Sequence, residues 1–313
     1  MNIGIDMMGG DFAPAEPLKG IQQYLDEVVA PAHLHLIGDS AQLETLLATY
    51  TIPASTFSIT HAPDVIGMQE HPTKALKEKP KSSIAVGFYL LATGKIDAFI
   101  SAGNTGAMLV GSLYSLKPLE GVLRPTISTL IPKENGGTGL LLDVGLNADC
   151  KPEHLNQFAT MGSVYAQAIL GISQPRVALL NIGEEEGKGN LLCQAAYPLL
   201  KENKHIHFVG NVEGRDVFLD KADVMVCDGF TGNIILKLAE SLFEITRAKG
   251  IMHDYFDRFD FEAYGGTPVL GISKPVIIGH GIAKGNAFKN KILLAQKMLE
   301  KDVMQKLAFE IAS

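Results

Sequence analysis

Apolar residues in this chain come in two arrangements that alternate from one end to the other. Short runs rich in Ile, Val and Leu occur at Ile3–Asp6, His33–Ile37, Ala98–Ser101, Thr126–Ile131, Gly139–Asp143, Arg176–Asn181, His207–Gly210, Val224–Cys227 and Val276–Gly279. Such runs predict strands covered on both faces. Longer stretches with apolar positions three or four apart lie at Ala15–Glu27, Ala41–Thr49, Ser82–Thr93, Pro152–Leu170, Asn190–Glu202, Gly232–Arg247 and Asn286–Glu300. These predict helices. Strand and helix in alternation predict an α/β protein on a mainly parallel, doubly wound sheet. No linker or low-complexity segment divides residues 1–313, so a single α/β unit is expected. One echo points to two similar, interwoven halves: Gly103-Asn104-Thr105-Gly106 and Gly229-Phe230-Thr231-Gly232 both follow a predicted strand and open a helix.

Composition narrows the class. With 46% apolar and 19% charged residues, the 313-residue chain can bury a sizeable core. A net charge of -7 with scattered Lys and Arg leaves no electrostatic footprint for nucleic acid. Cys150, Cys193 and Cys227 have no C-x-x-C spacing, which offers no zinc framework and fits a reducing, cytoplasmic compartment. A signal peptide is not expected, because the N-terminus enters a strand pattern without a basic leader. No uncharged apolar run reaches the ~20 residues of a membrane span.

In open α/β sheets, ligands gather beyond the carboxyl ends of strands, where helices begin. Five turns fit. Asp6-Met7-Met8-Gly9-Gly10-Asp11 is not a dinucleotide fingerprint; Asp11 reads either as a helix N-cap or as a site residue. Ser101-Ala102-Gly103-Asn104-Thr105-Gly106-Ala107 lets backbone approach a ligand and presents helix-start N–H groups to an anion. Lys74, Lys77, Lys79 and Lys81 precede Ser82-Ser83, a capping pair; the lysines read as an anion site or as a solvated helix face. The fourth turn, Asn181–Asn190, holds Lys188 between glycines but lacks a Walker A ending. The fifth combines Asp228-Gly229-Phe230-Thr231-Gly232-Asn233 with His280 between Gly279 and Gly281. Cys227 reads as the last buried residue of its strand, not as a nucleophile. Neither a G-x-S-x-G elbow nor an H-E-x-x-H metal pair occurs.

The order of these motifs carries a resemblance. Asp6–Pro14, Pro72 with Ala75–Lys79 and Ser82-Ser83, Ser101–Ala107, Arg124-Pro125, Asp143–Asn147, Leu180–Gly183, Asp228–Asn233, Tyr264–Pro268 and His280-Gly281 together resemble the PlsX family of phosphate acyltransferases nearly end to end. The resemblance implies a reaction of acyl–acyl carrier protein with inorganic phosphate, giving acyl phosphate for a membrane glycerol-3-phosphate acyltransferase that starts phospholipid synthesis. It implies a fold similar to the isocitrate/isopropylmalate dehydrogenase group, a homodimer, and a cytoplasmic protein that visits the membrane peripherally. The helices around Met161 and Leu236 are the candidate dimer elements. Asp143–Gly187 also resembles phosphotransacetylases, which exchange acyl groups with coenzyme A. A NAD-dependent dehydrogenase of the same fold is a further alternative, but it needs a dinucleotide site and a carboxylate cluster that are not legible. Gln69, Lys77 and Ala283 depart from the residues usual in the family. Lys77 keeps the charge of an Arg without its bidentate fork. Phe243–Asp260 is short for the helical hairpin that some members press against the membrane.

Phosphate is already a nucleophile and a thioester already has a good leaving group, so no metal or redox cofactor is expected. Orientation of the two partners supplies ~7–11 kcal/mol, and each preorganised oxyanion donor ~2.7–4 kcal/mol. The expected phosphate ligands are Lys77, Lys79, Ser82, Ser83 and the turn Gly103, Thr105 and Gly106, with Asn104 as oxyanion donor. His280 or Lys188 is expected to protonate the departing thiolate, with Asp228 orienting it. Asp11, Thr231, Gly232 and Asn233 are expected at the substrate. Lys284, Lys289, Lys291 and Lys297 on the last predicted helix are expected to dock an acidic carrier, or else to form an ordinary solvated face.

Overall fold

The computed structural model describes residues 1–251, 253–260 and 264–313. The chain opens with β1 (Asn2–Asp6), α1 (Ala15–Glu27), β2 (His33–Gly38), α2 (Ser40–Leu47), β3 (Phe57–His61), α3 (Pro72–Glu78), α4 (Ser83–Ala92), β4 (Ala98–Ser101) and α5 (Thr105–Ser115). It continues through β5 (Thr126–Pro132), β6 (Thr138–Leu142), α6 (Pro152–Tyr165), β7 (Arg176–Asn181), α7 (Leu191–Glu202), β8 (His207–Glu213), β9 (Val224–Val226), α8 (Gly229–Ala248) and α9 (Asp254–Asp257). It closes with β10 (Thr267–Leu270), β11 (Val276–Ile278), α10 (Gly285–Glu300) and α11 (Val303–Ala312). Two compact units result: Met1–Lys117 with Phe261–Glu300, and Pro118–Asp260 with Lys301–Ser313.

In the first unit the strands run β3-β2-β1-β4-β11-β10. All neighbours are parallel except the last pair. Ile3, Ile5, Leu34, Leu36, Phe99, Ile100 and Ile277 are fully buried, as strands covered by helices on both faces require. Gly87 and Gly111 leave room for a Phe88–Phe99 edge contact with ring centroids 5.2 Å apart.

In the second unit the order is β5-β6-β9-β7-β8, antiparallel between β5 and β6 and parallel elsewhere. Gly162 lets α6 settle onto β6 and β9, where an added Cβ would lie 3.0 Å from Leu142 Cδ2. A charged cluster ties the entry ends of these strands together. Lys133, 3% exposed, donates to Asp223 (2.5 Å) and Asp220 (2.9 Å), and Arg176 Nε donates to Asp223 Oδ2 (3.0 Å). Although burial opposes it, hydrogen bonds from Arg176 and Lys133 hold the Asp223 carboxyl well below the usual range.

Among the elements outside the predicted set, four have a physical reason for being so. β3 has no fully buried position and alternates apolar with polar residues, so it lacks the apolar run that marks a covered strand. β10 contains Pro268 and pairs with β11 over two residues. α3 is a seven-residue helix started by Pro72. α11 follows α10 after a break at Asp302, whose φ of 50° is left-handed.

Candidate active site

Asp6 ends β1 fully buried and gathers the turns around it. Its Oδ1 accepts from the N–H groups of Met8 and Gly9, both at 3.0 Å, and its Oδ2 from Ser101 Oγ at 2.6 Å. Ser83 adds a second hydroxyl. Ser101 Oγ in turn accepts from Gly103 N–H at 2.9 Å. Burial pushes the Asp6 carboxyl up and these bonds pull it back only in part. Glycine is needed at position 9, since a Cβ there would stand 2.7 Å from Gly103 N. The loop after β11 joins the same cluster, where Asp11 N–H donates to Gly281 O at 2.8 Å. Asp11 is exposed and does not cap α1, whose N-cap is Pro14.

The structure reassigns several expected ligands of this unit. Asn104 is 4% exposed, and its amide nitrogen donates to the carbonyls of Gly67, Met68 and Glu70 at 2.9, 3.2 and 3.0 Å. Its oxygen accepts from Ala107 N–H at 2.9 Å, capping α5. With only two amide hydrogens, Asn104 has none left for a substrate oxyanion; it anchors the 67–70 loop. Lys79 is also committed, donating to Glu70 at 2.6 Å and to Val65 O at 2.8 Å. Lys77 points to solvent in the last turn of α3. Ser82 caps α4 through Ala85 N–H, and both Ser82 and Ser83 are buried. An added Cβ at Gly106 would run into Pro72.

At the start of α5, the N–H groups of Thr105 and Gly106 have no acceptor among the described residues, and Thr105 is exposed. His280 is half-buried beside Gly281.

The expected docking face on α10 loses two of its four lysines. Lys291 is 1% exposed, with its ammonium 4.5 Å from the centre of the Phe288 ring. Lys289 pairs with Glu27 at 2.8 Å, which leaves Lys284 and Lys297 as the exposed members.

In the second unit Asp143 holds the corresponding place at the end of β6. It is fully buried and accepts from Ile127 N (3.4 Å), Gly145 N (3.2 Å), Leu146 N (3.1 Å) and Asn147 N (2.7 Å). Asn147 Nδ2 also donates to Asp143 (2.7 Å) and to Pro125 O (2.8 Å). Burial again pushes the carboxyl up.

Cys227 packs its thiol against Asp143 O at 3.6 Å, and burial raises it well above the ordinary thiol range, so it is no nucleophile. Asp228 caps α8, accepting from Thr231 N (2.9 Å) and Thr231 Oγ1 (3.0 Å). Its oxygens therefore hold its own helix instead of orienting Lys188. An added Cβ at Gly232 would collide with Asp143 O, and Asn233 Nδ2 donates to Val144 O at 3.1 Å. Lys188 is exposed, 4.0 Å from Glu185. Met161 is fully buried within α6 and offers no dimer surface; α8 instead exposes Phe230, Ile234, Leu238, Leu242 and Ile245. Among the described residues no His, Cys, Asp or Glu group has a metal-binding arrangement, and no helix is long and apolar enough to cross a membrane.

Comparison with known proteins adds the following. The family described as fatty acid synthesis protein matches residues 1–258 and 248–306. A phosphate acyltransferase of Dictyoglomus turgidum is 42% identical over 98% of this chain and 96% of its own. Its counterpart in Halothermothrix orenii is 44% identical over 99% and 98%. Among solved structures, a phosphotransacetylase from Streptococcus pyogenes superposes with a TM-score of 0.66 at 17% identity, covering 96% of this chain and 94% of the other. A branched-chain phosphotransacylase from Enterococcus faecalis gives 0.64 at 16%, covering 95% and 99%. At such identities the structural likeness concerns the fold.

Proposed function

The chain belongs to the fatty acid synthesis protein family, and from that premise we infer that it is a phosphate acyltransferase, moving an acyl group from a thioester to inorganic phosphate. The observation that carries this is identity above 40% to phosphate acyltransferases over almost the whole of both chains. A phosphate oxygen attacks the thioester carbonyl carbon. The tetrahedral intermediate collapses with cleavage of the C–S bond, and the thiolate leaves and takes a proton. Acyl phosphate and free thiol are the products.

The groups in the first unit that suit this chemistry are backbone donors. Thr105 and Gly106 offer two N–H groups at a helix start, where partial positive charge favours an oxyanion, and the Thr105 hydroxyl lies beside them. His280, one residue from the Gly281 carbonyl that holds Asp11, is the group assigned to protonate the thiolate.

The donor is the thioester on the pantetheine arm of an acyl carrier protein. The acyl phosphate serves a membrane acyltransferase that acylates glycerol 3-phosphate, so the protein works in the cytoplasm and peripherally at the membrane. Pairing of two copies is assigned to the exposed apolar stripe Phe230, Ile234, Leu238, Leu242 and Ile245 of α8.

Incubation with acyl carrier thioester and phosphate should release thiol and hydroxylamine-trappable acyl phosphate in equal amounts. Faster turnover with the coenzyme A thioester would favour the phosphotransacetylase reading of the donor. Leu238→Glu should convert a sedimenting dimer to a monomer, and an unchanged dimer would remove α8 from the interface.

A further inference from the structure

Arg124 has a fixed backbone and an uncommitted side chain. Gln157 of α6 donates to Gly121 O and accepts from Leu123 N–H, both at 2.8 Å, while Pro125 O accepts from Asn147 at 2.8 Å. The residue between these pins is therefore held in place although its side chain is exposed. Gln157 lies three positions after His154 on α6, so both share one helix face. Pinning the 121–123 segment to Gln157 brings Arg124 beside His154.

The charges agree with that placement. Burial, then Arg124 and then Lys151 hold the His154 imidazole below its ordinary value, with exposed Glu153 on the same helix opposing them. The Arg124 charge also reaches the Cys150 thiol.

His154 is 9% exposed, and its Nδ1 accepts from Lys151 N–H at 3.1 Å. The neutral ring therefore carries its proton on Nε2. That N–H, the Arg124 guanidinium and the Lys151 ammonium donate to no described residue.

The strand that follows Arg124 carries unsatisfied polar groups. Thr126 and Ser128 are fully buried on β5, and neither hydroxyl has a hydrogen-bond partner. Ser128 stands opposite Leu142 in the β5–β6 ladder, and Leu142 packs against Gly162 of α6. Cross-strand partners share a face, and so do residues two apart on a strand. Thr126 therefore looks toward α6 as well, at the strand end next to Arg124. Two cations and a neutral N–H near an unpartnered buried hydroxyl suit a multi-oxygen anion; a planar guanidinium fork fits carboxylate and phosphate alike, and acyl transfer to phosphate supplies the latter.

We propose that Arg124, Lys151 and His154 Nε2–H, with the Thr126 hydroxyl, form a binding site for a phosphate group. The inference rests on the acyl transfer reading, which supplies two such groups: the inorganic phosphate acceptor and the phosphodiester of the pantetheine arm. Two kinetic arms separate them. The first measures KM for inorganic phosphate at saturating acyl carrier thioester. The second compares kcat/KM for an acyl phosphopantetheine with that for the acyl pantetheine lacking the phosphate, at saturating inorganic phosphate. Turnover by the wild-type protein secures the underlying reading before any variant is scored.

Arg124→Gln should raise the phosphate KM at least tenfold if the acceptor binds here. It should instead abolish the preference for the phosphorylated arm if the donor does. Arg124→Lys should recover part of either effect, and Lys151→Gln should act in the same direction. Active variants with both quantities within twofold of wild type would overturn the proposal.

Discussion

Asp6 at the end of β1 binds two backbone N–H groups and two serine hydroxyls, whereas Asp143 at the end of β6 binds four backbone N–H groups and an asparagine amide. Both carboxylates are fully buried, and both hold the turn that follows their strand. The difference is in what each turn would lose. A hydroxyl can rotate to another acceptor, but a buried backbone N–H cannot, so the second turn depends more heavily on its carboxylate. Nearby cations differ in the same sense. Lys79 in the first unit is spent on Glu70, while Arg124 and Lys151 in the second pair with no described carboxylate. A buried Asp at a strand end is thus scaffolding in both units, and the ligand chemistry lies in donors that the scaffold leaves unspent.

The largest effect should come from removing Asp143. Asp143→Ala strands several buried N–H groups at ~1–3 kcal/mol each, so a total near 5 kcal/mol is expected in chemical unfolding. Asp6→Ala should cost about half as much, because its serines can rebond. Equal losses would erase the distinction drawn here.

Asn104→Ala should cost about 1–2 kcal/mol, from the lost cap and the freed 67–70 loop. A 100-fold fall in kcat with unchanged stability would restore Asn104 as an oxyanion donor.

The smallest effect concerns acid. Asp223 is held below the usual carboxylate range, so its contribution is present at neutral pH and is lost as pH falls through its folded value. Asp6 and Asp143 are raised, so their contributions have the opposite sign: present in acid and lost as pH rises through their folded values. Asp223→Asn should therefore lower stability at pH 7 and flatten its decline below about pH 5. A decline as steep as in the wild type would place the acid-sensitive groups elsewhere.

Much of the fold was legible because most of its strands carry short runs rich in Ile, Val and Leu; β3, with no fully buried position, was not. Sites were harder. The commitment of Lys79 to Glu70 depends on how the 67–70 loop turns, and no local pattern reports that. The burial of Lys291 did have a signal. It lies three residues after Phe288 and four before Ala295, on the apolar face of α10, so helical periodicity argued against a surface role. Arg124 stood in a recognisable Arg-Pro motif, but its value follows from the absence of a partner, which only the packed structure reveals.

The central claim is that acyl transfer at the start of α5 relies on backbone N–H groups and not on the Asn104 side chain. Thr105→Pro tests it directly. Thr105 is the first helical residue, where proline is tolerated, and Asn104 already has φ -54° and ψ 107°, a conformation that a following proline accepts. The substitution removes the N–H and spares the helix, while Thr105→Ala controls for the lost hydroxyl. The account predicts a kcat about 100-fold below that of Thr105→Ala at an unchanged melting temperature. Equal kcat values in the two variants would contradict it.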